Sequence, residues 1–255
     1  MKCERIDLYL NHDQPLVADE LSRFKTLIKR RINREPVAYI IGVKEFWSMD
    51  LAVTRDVLIP RPETECLVEA ALDFLSENSG SQSKRILDVG TGSGAIILAL
   101  ASQKPGHLYF ASDLFPKAVE LARKNAERHN LLGYIHFFVG DWFSGLNPVK
   151  SGFDMIVSNP PYIPGSLIPK LQPEIYRFEP VSALDGNEDG LFCLRKIIGA
   201  AYHYLKPYGV LLLEVGYDQR DYVHAIVSQC GRYEDVYFKK DYSEYDRVVH
   251  MRKKR

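Results

Sequence analysis

From Arg85 to Met251 the chain alternates short strand-like runs with amphipathic helical ones, and this alternation restricts the possible folds more than any other feature. The strand-like runs are Arg85–Val89, Leu108–Ser112, Ile135–Val139, Phe153–Ser158, Val210–Val215, Asp235–Phe238 and Val248–Met251. Helical spacing of apolar residues falls at Ala95–Ser102, Pro116–His129, Leu191–Leu205 and Asp218–Gln229. Buried strands interleaved with helices form a parallel, doubly wound sheet. Only Lys239 to Arg247 separates the last two runs, so these are expected to pair antiparallel. The expected fold class is α/β: a mostly parallel, seven-stranded sheet closed by a C-terminal antiparallel hairpin.

Ahead of that sheet, Leu16, Val17, Leu21, Phe24, Leu27, Ile28 and Ile32 recur at helical spacing, which predicts a helix over about Gln14 to Arg34. Its basic end (Lys29, Arg30, Arg31, Arg34) suits a helix C-terminus in solvent; a contact with RNA or an acidic partner is the other reading. Pro36 should stop this helix. Two β-rich runs, Glu45 to Asp50 and Leu51 to Ile59, then read as a hairpin or a pair of short strands. Pro62-Glu63-Thr64-Glu65 resembles the acidic first turn of a helix reaching about Leu75, and a polar stretch from Ser76 to Ser83 follows it. The expected division is 1–36 helical, 37–62 a β-hairpin linker and 63–255 the α/β domain.

Lys plus Arg and Asp plus Glu both total 33, so the chain lacks the overall positive field of many duplex-binding proteins. Cys3, Cys66, Cys193 and Cys230 lie far apart without metal-ligand spacing and read as free thiols in a reducing compartment; the scattered histidines likewise suggest no metal. With a charged start and no long apolar run, a cytoplasmic location without membrane contact is expected.

Ile86-Leu87-Asp88-Val89-Gly90-Thr91-Gly92-Ser93-Gly94-Ala95 ends one strand and opens a helix. Glycines at 90, 92 and 94 let the backbone turn tightly and approach a ligand. Asp113 ends the next strand, 23 residues after Gly90, where a carboxylate can accept hydrogen bonds from ribose hydroxyls. Asp88 points toward the same crevice and could receive a cationic amino group. Asp141-Trp142 ends the third strand, where an acid can hold an exocyclic adenine amine and an aromatic can cover the ring; core packing of Trp142 is the alternative. These features indicate a nucleoside-containing cofactor but fit a dinucleotide as well as S-adenosylmethionine.

The fourth strand runs into Asn159-Pro160-Pro161-Tyr162. Two prolines remove two N–H donors and hold the backbone extended, directing the Pro160 carbonyl into the crevice. Asn159 adds a side-chain carbonyl acceptor. Two fixed acceptors can take both hydrogens of a planar amide or amine, and Tyr162 can line the opposite face. That pair has no use in hydride transfer but suits methyl transfer to nitrogen from a sulfonium donor. No separate general base is evident.

The chain resembles the protein-glutamine methyltransferases of the PrmC/HemK type, which act on the Gly-Gly-Gln glutamine of peptide chain release factors. The resemblance rests on Glu35-Pro36-Val37-Ala38-Tyr39-Ile40, Glu45-Phe46-Trp47, Leu58-Ile59-Pro60-Arg61-Pro62-Glu63-Thr64-Glu65, Asp88 to Gly94, Asn159 to Tyr162, Glu179-Pro180 and Ala183 to Leu191. It implies S-adenosylmethionine held by the Gly90–Gly94 loop, Asp113 and Trp142. It also implies a substrate amide held by Asn159 and Pro160, with Pro161 and Tyr162 in the pocket. Arg61, Glu63 and Glu179 would shape the rim or brace loops. The closing antiparallel hairpin is, by analogy, that of methyltransferases using S-adenosylmethionine. Only about 35 residues precede Pro36, so the family's opening helical bundle is expected to be shortened. A release factor is the expected partner of a monomer, with no direct nucleic-acid substrate. The alternatives are a nucleic-acid amine methyltransferase, which would need a basic groove for a flipped base, and a non-catalytic nucleoside-binding protein.

Overall fold

The computed structural model describes residues 5–77, 83–149 and 152–255. Cys3 and most of the polar stretch from Ser76 to Ser83 lie outside the described residues. The chain opens with α1 (Arg5–Leu10), α2 (Ala18–Ile32) and the single-turn α3 (Val37–Ile41), followed by β1 (Val43–Phe46) and β2 (Met49–Ala52). Then come α4 (Glu65–Glu77), β3 (Arg85–Val89), α5 (Ala95–Gln103), β4 (Leu108–Asp113), α6 (Pro116–Arg128), β5 (Ile135–Val139) and β6 (Phe153–Ser158). The chain ends with α7 (Pro173–Tyr176), α8 (Phe192–Ala201), β7 (Leu205–Glu214), α9 (Arg220–Cys230), β8 (Tyr233–Lys240) and β9 (Asp246–Lys253).

Among the described residues one seven-stranded sheet runs in the order β5-β4-β3-β6-β7-β9-β8. Neighbours from β5 to β7 are parallel, and β9 pairs antiparallel with both β7 and β8. The chain winds outward from β3 through β4 to β5, then returns to β6 and continues the other way. This reversal opens a crevice at the carboxyl ends of β3 and β6. One apolar cluster under α4 and α5 covers one face, with Leu67, Ile97, Leu100, Tyr109 and Met155 fully buried. A second, with Leu194, Ile197, Leu211 and Leu213, lies beneath α8 and α9 on the other face. α5 is apolar all round, and every residue from Ala95 to Ala101 is buried.

The first hairpin differs from its sequence reading. The chain reverses at Trp47 and Ser48, inside what reads as a single strand from Glu45 to Asp50. Both residues take left-handed φ values of 52° and 57°, as a two-residue type I′ turn demands. Trp-Ser carries none of the Asn-Gly signal for that turn. Instead, the Trp47 amide donates to Glu65 and the Ser48 amide to Glu45, so two carboxylates hold it. Likewise the segment read as a β-hairpin linker from residue 37 opens with a helical turn, α3. Pro36 precedes its first turn rather than forbidding a helix, and Gly42 in left-handed conformation ends it. α8 stops at Ala201 and β7 already starts at Leu205; between the Phe153–Leu205 and Met155–Val210 pairs one residue of β6 faces four of β7 across a bulge.

α2 forms where expected, yet none of its side chains is buried. Its basic end is engaged within the chain. Arg30 pairs with Glu35, while Arg31 and Arg34 both reach Glu174. Arg30, then Arg55, holds the Glu35 carboxyl down at about 2. No helix among the described residues is long and apolar enough to cross a membrane.

Candidate active site

A cleft of about 190 Å³ opens at the carboxyl ends of β3, β4 and β6. Its walls include Gly90, Thr91, Gly92, Ser93, Asp113, Asp141, Trp142, Asn159, Pro160 and Pro161, together with Arg61 and Thr64. The chain thus brings together residues spread over a hundred positions. Asp88, Gly94 and Tyr162 lie outside these walls.

The glycine loop is fixed by its own backbone. The amides of Gly90 and Thr91 both donate to the Ser112 carbonyl at 2.9 Å, and Gly92 donates to Asp113 Oδ2 at 2.9 Å. Gly90, Gly92 and Gly94 all have positive φ. A Cβ at Gly92 would meet no protein atom within 4 Å, so the space above it is open to a ligand. At Gly94 a Cβ would stand 3.1 Å from Leu98 and 3.2 Å from Ala122, so this glycine serves helix packing instead. Buried Asn125 clamps the loop from below, donating to the carbonyls of Ser93 and Ala52 and accepting from the Ala52 amide.

Asp113 holds the Gly92 and Phe115 amides on separate oxygens, leaving lone pairs for hydroxyl donors. Burial raises its carboxyl above the usual range. Asp88 sits beneath the loop, wholly buried, and accepts the Thr91 hydroxyl at 2.7 Å. Its second oxygen has no hydrogen-bond partner among the described residues, although the Ile97 amide favours its charged form. Burial pushes this carboxyl up to about 7. The open glycine cradle beside the Asp113 carboxyl fits a ligand that carries a ribose, and the buried Asp88 carboxyl beneath the loop adds an acidic group that suits a cationic amine on it. Trp142 has positive φ and stays half-buried on the cleft wall, whereas its neighbour Phe143 enters the core and stacks on Tyr204.

Asn159 follows directly from β6, whose last residue, Ser158, donates its hydroxyl to the Val89 carbonyl at 2.6 Å. The Asn159 side-chain nitrogen donates to Thr64 Oγ1 at 3.1 Å. Neither Asn159 Oδ1 nor the Pro160 carbonyl accepts a hydrogen bond among the described residues. Tyr162 turns its hydroxyl inward onto Glu214, and its carbonyl accepts from Gln219. The next residue, Ile163, bridges to Asp185, so the Ala183-to-Leu191 block backs this loop. A Cβ at Gly190 would lie 2.5 Å from the Tyr162 carbonyl, which requires glycine there.

Residues 66–171 match the family described as Methyltransferase small domain, and residues 1–42 match that described as PrmC N-terminal domain. A release factor glutamine methyltransferase of Geobacter sulfurreducens is 42% identical, over 96% of this chain and 83% of that protein. This chain belongs to the release factor glutamine methyltransferase family. The Vibrio cholerae and Escherichia coli proteins of the same name are 46% and 44% identical, over 93% and 92% of this chain and 80% and 81% of theirs.

Solved structures carry the same fold at lower identity. A methyltransferase from Pyrococcus furiosus aligns at TM-score 0.58 and 18% identity, covering 93% of this chain and all of that one. The catalytic domain of human Mettl16 aligns at 0.62 and 16%, covering 82% and 76%.

In this member of the release factor glutamine methyltransferase family, Thr64, Glu214 and Asn125 escaped the sequence reading as contributors to the cleft. Glu214 had a signal: it is the one charged residue closing the apolar run Val210 to Val215. Arg61 and Glu179 prove to be partners at 2.6 Å, bracing the Ile59–Arg61 segment, with Glu179 also accepting from the Ile59 amide.

Proposed function

We propose that this chain transfers a methyl group from S-adenosylmethionine to the side-chain amide nitrogen of the glutamine in the Gly-Gly-Gln motif of peptide chain release factors. The reading is carried by two consecutive residues at the cleft, Asn159 and Pro160, each presenting an acceptor oxygen with no partner among the described residues. Family membership supports the choice of a glutamine amide over a nucleobase amine.

On the cofactor side, Gly90 to Ser93 form the cradle, Asp113 takes the ribose, and Asp141 and Trp142 face the base. Asp88 supplies negative charge from beneath the loop. S-adenosylmethionine held there offers an electrophilic methyl group on a positively charged sulfur. Asn159 Oδ1 and the Pro160 carbonyl accept the two hydrogens of the substrate amide, setting its nitrogen face toward the cofactor side. An amide nitrogen is a poor nucleophile because its lone pair is delocalised. Fixing both hydrogens lets the nitrogen lose planarity without losing its partners, and positioning of this kind supplies roughly 7–11 kcal/mol of a barrier. As positive charge grows on that nitrogen, both acceptors bind its hydrogens more strongly than before, which is where acceleration arises. Pro161 keeps the backbone extended, and Tyr162 anchors the loop from inside.

The test is incubation of the purified chain with methyl-labelled S-adenosylmethionine and a full-length release factor, followed by mapping of the label. Label on the Gly-Gly-Gln glutamine is expected. Label on duplex DNA or ribosomal RNA, with none on the factor, would assign the site to nucleobase amines.

A further inference from the structure

Behind the acceptor pair lies a buried chain of polar side chains that joins two motifs, through Thr64 and Tyr162, to Glu214 outside both. Thr64 is 4% exposed and Glu214 1% exposed. The Thr64 hydroxyl donates to Glu214 Oε2 at 2.7 Å, and the Tyr162 hydroxyl donates to Glu214 Oε1 at 3.1 Å. Thr64 Oγ1 in turn accepts from the Asn159 side-chain nitrogen at 3.1 Å. A hydroxyl has a single hydrogen. With that hydrogen spent on Glu214, the side of Thr64 that faces Asn159 offers only lone pairs. An amide turned the other way would set its carbonyl oxygen against those lone pairs. So Asn159 can satisfy Thr64 only with its nitrogen inward, which leaves its oxygen facing the cleft.

We propose that Thr64 and Glu214 are positioning residues that fix which end of the Asn159 amide meets the substrate, with Glu214 at the same time locking Tyr162 of the same loop. This rests on the reading of the cleft as a glutamine methyl-transfer site. Glu214 acts as a fixed acceptor from two donors on two different loops, which explains a carboxylate at the end of an otherwise apolar central strand. Its burial raises its carboxyl, opposed mainly by the Thr64 hydrogen bond and by nearby Arg247.

Thr64→Val keeps the volume and removes the hydroxyl. Both amide orientations of Asn159 then become available, and the incorrect one turns an N–H donor toward the hydrogens of the substrate. The expected result is a fall in kcat of roughly tenfold to a hundredfold, with KM for the release factor and Kd for S-adenosylmethionine each within about threefold of wild type. Thr64→Ser should restore most of kcat, because it restores the hydroxyl. Glu214→Gln has one acceptor oxygen for two donors and should lower kcat to a similar degree, with its folding checked by Tm and by calorimetric binding of S-adenosylhomocysteine. Wild-type kcat in Thr64→Val would overturn the proposal, as would failure of Thr64→Ser to recover activity. A wild-type chain that binds the cofactor but leaves the release factor unlabelled would instead sink the functional reading itself.

Discussion

Arg61 and Glu179 stand 118 positions apart in the chain, yet their side chains meet at 2.6 Å, with the Glu179 side chain 1% exposed and Arg61 29%. This pair joins the Ile59–Arg61 segment, which forms one wall of the cleft, to the segment that follows α7. Burial raises the Glu179 carboxyl, and Arg61 opposes that rise.

Removing Arg61 while leaving Glu179 strands a buried carboxylate. Arg61→Ala should destabilise the fold by roughly 2–3 kcal/mol, below the ~3–5 of a fully buried pair because the guanidinium is partly solvated. Glu179→Gln should cost less, since its amide oxygen still accepts from Ile59. Urea denaturation of both variants checks the order; equal losses would show that the carboxylate stranded by Arg61→Ala carries no penalty of its own.

The two inner glycines of the cofactor loop should fail differently. Gly92→Ala meets only backbone strain, at φ +55° with open space around the new carbon, and should cost about 1–2 kcal/mol. Its larger effect should be on affinity for S-adenosylmethionine. Gly94→Ala meets Leu98 and Ala122 as well as φ +85°, and should cost more stability than Gly92→Ala. Thermal unfolding and calorimetric titration of both separate the two roles; the reverse order of stability would refute them.

Asp88 has a carboxyl raised to about 7, chiefly by burial, against an ordinary value near ~3.9. Such an acid is protonated more readily in the folded chain, so it costs stability as pH rises from about 4 to about 7, and the whole penalty is present above that. Asp88→Asn should therefore stabilise the ligand-free protein by roughly 3 kcal/mol at pH ~8 and hardly at all near pH ~4. Its affinity for S-adenosylmethionine should fall over the same upper range. Denaturation curves at several pH values test this; a gap that does not change with pH would contradict it.

Asn159→Ala removes one of the two acceptors proposed for the substrate amide without touching the glycine loop. Turnover should fall by a hundredfold or more, on the order of the loss when one oriented transition-state partner is deleted. Binding of S-adenosylhomocysteine should stay within a few fold. A near-normal rate would remove Asn159 from the chemistry.

The sheet and its crevice are legible in the sequence because burial leaves a local trace: apolar runs for β3 and β6, helical spacing for α6 and α9, glycines at the loop. Asn159 and Pro160, the pair proposed to accept the substrate amide, stand out in the sequence because they are contiguous. What periodicity cannot convey is pairing at a distance. Thr64 and Glu214 lie 150 positions apart, and each has a bland local reading, a helix-start residue and a strand end. The Trp47–Ser48 turn is silent for another reason, since its conformation is held by Glu45 and Glu65 rather than by its own residue types.

α2 touches the rest of the chain without burying a single side chain, and its ties are guanidinium contacts, to the Glu35 and Glu174 carboxylates and to the Glu35, Tyr39 and Ile40 carbonyls. A joint of that kind behaves unlike the oily seams of the sheet, because dissolved ions compete for it. Raising salt to about 1 M shrinks the reach of a charge to ~3 Å. The Glu174 link should slacken first, since its carboxylate is 15% exposed against 7% for Glu35. α2 then becomes an arm whose seating obeys ionic strength while the catalytic body stays whole.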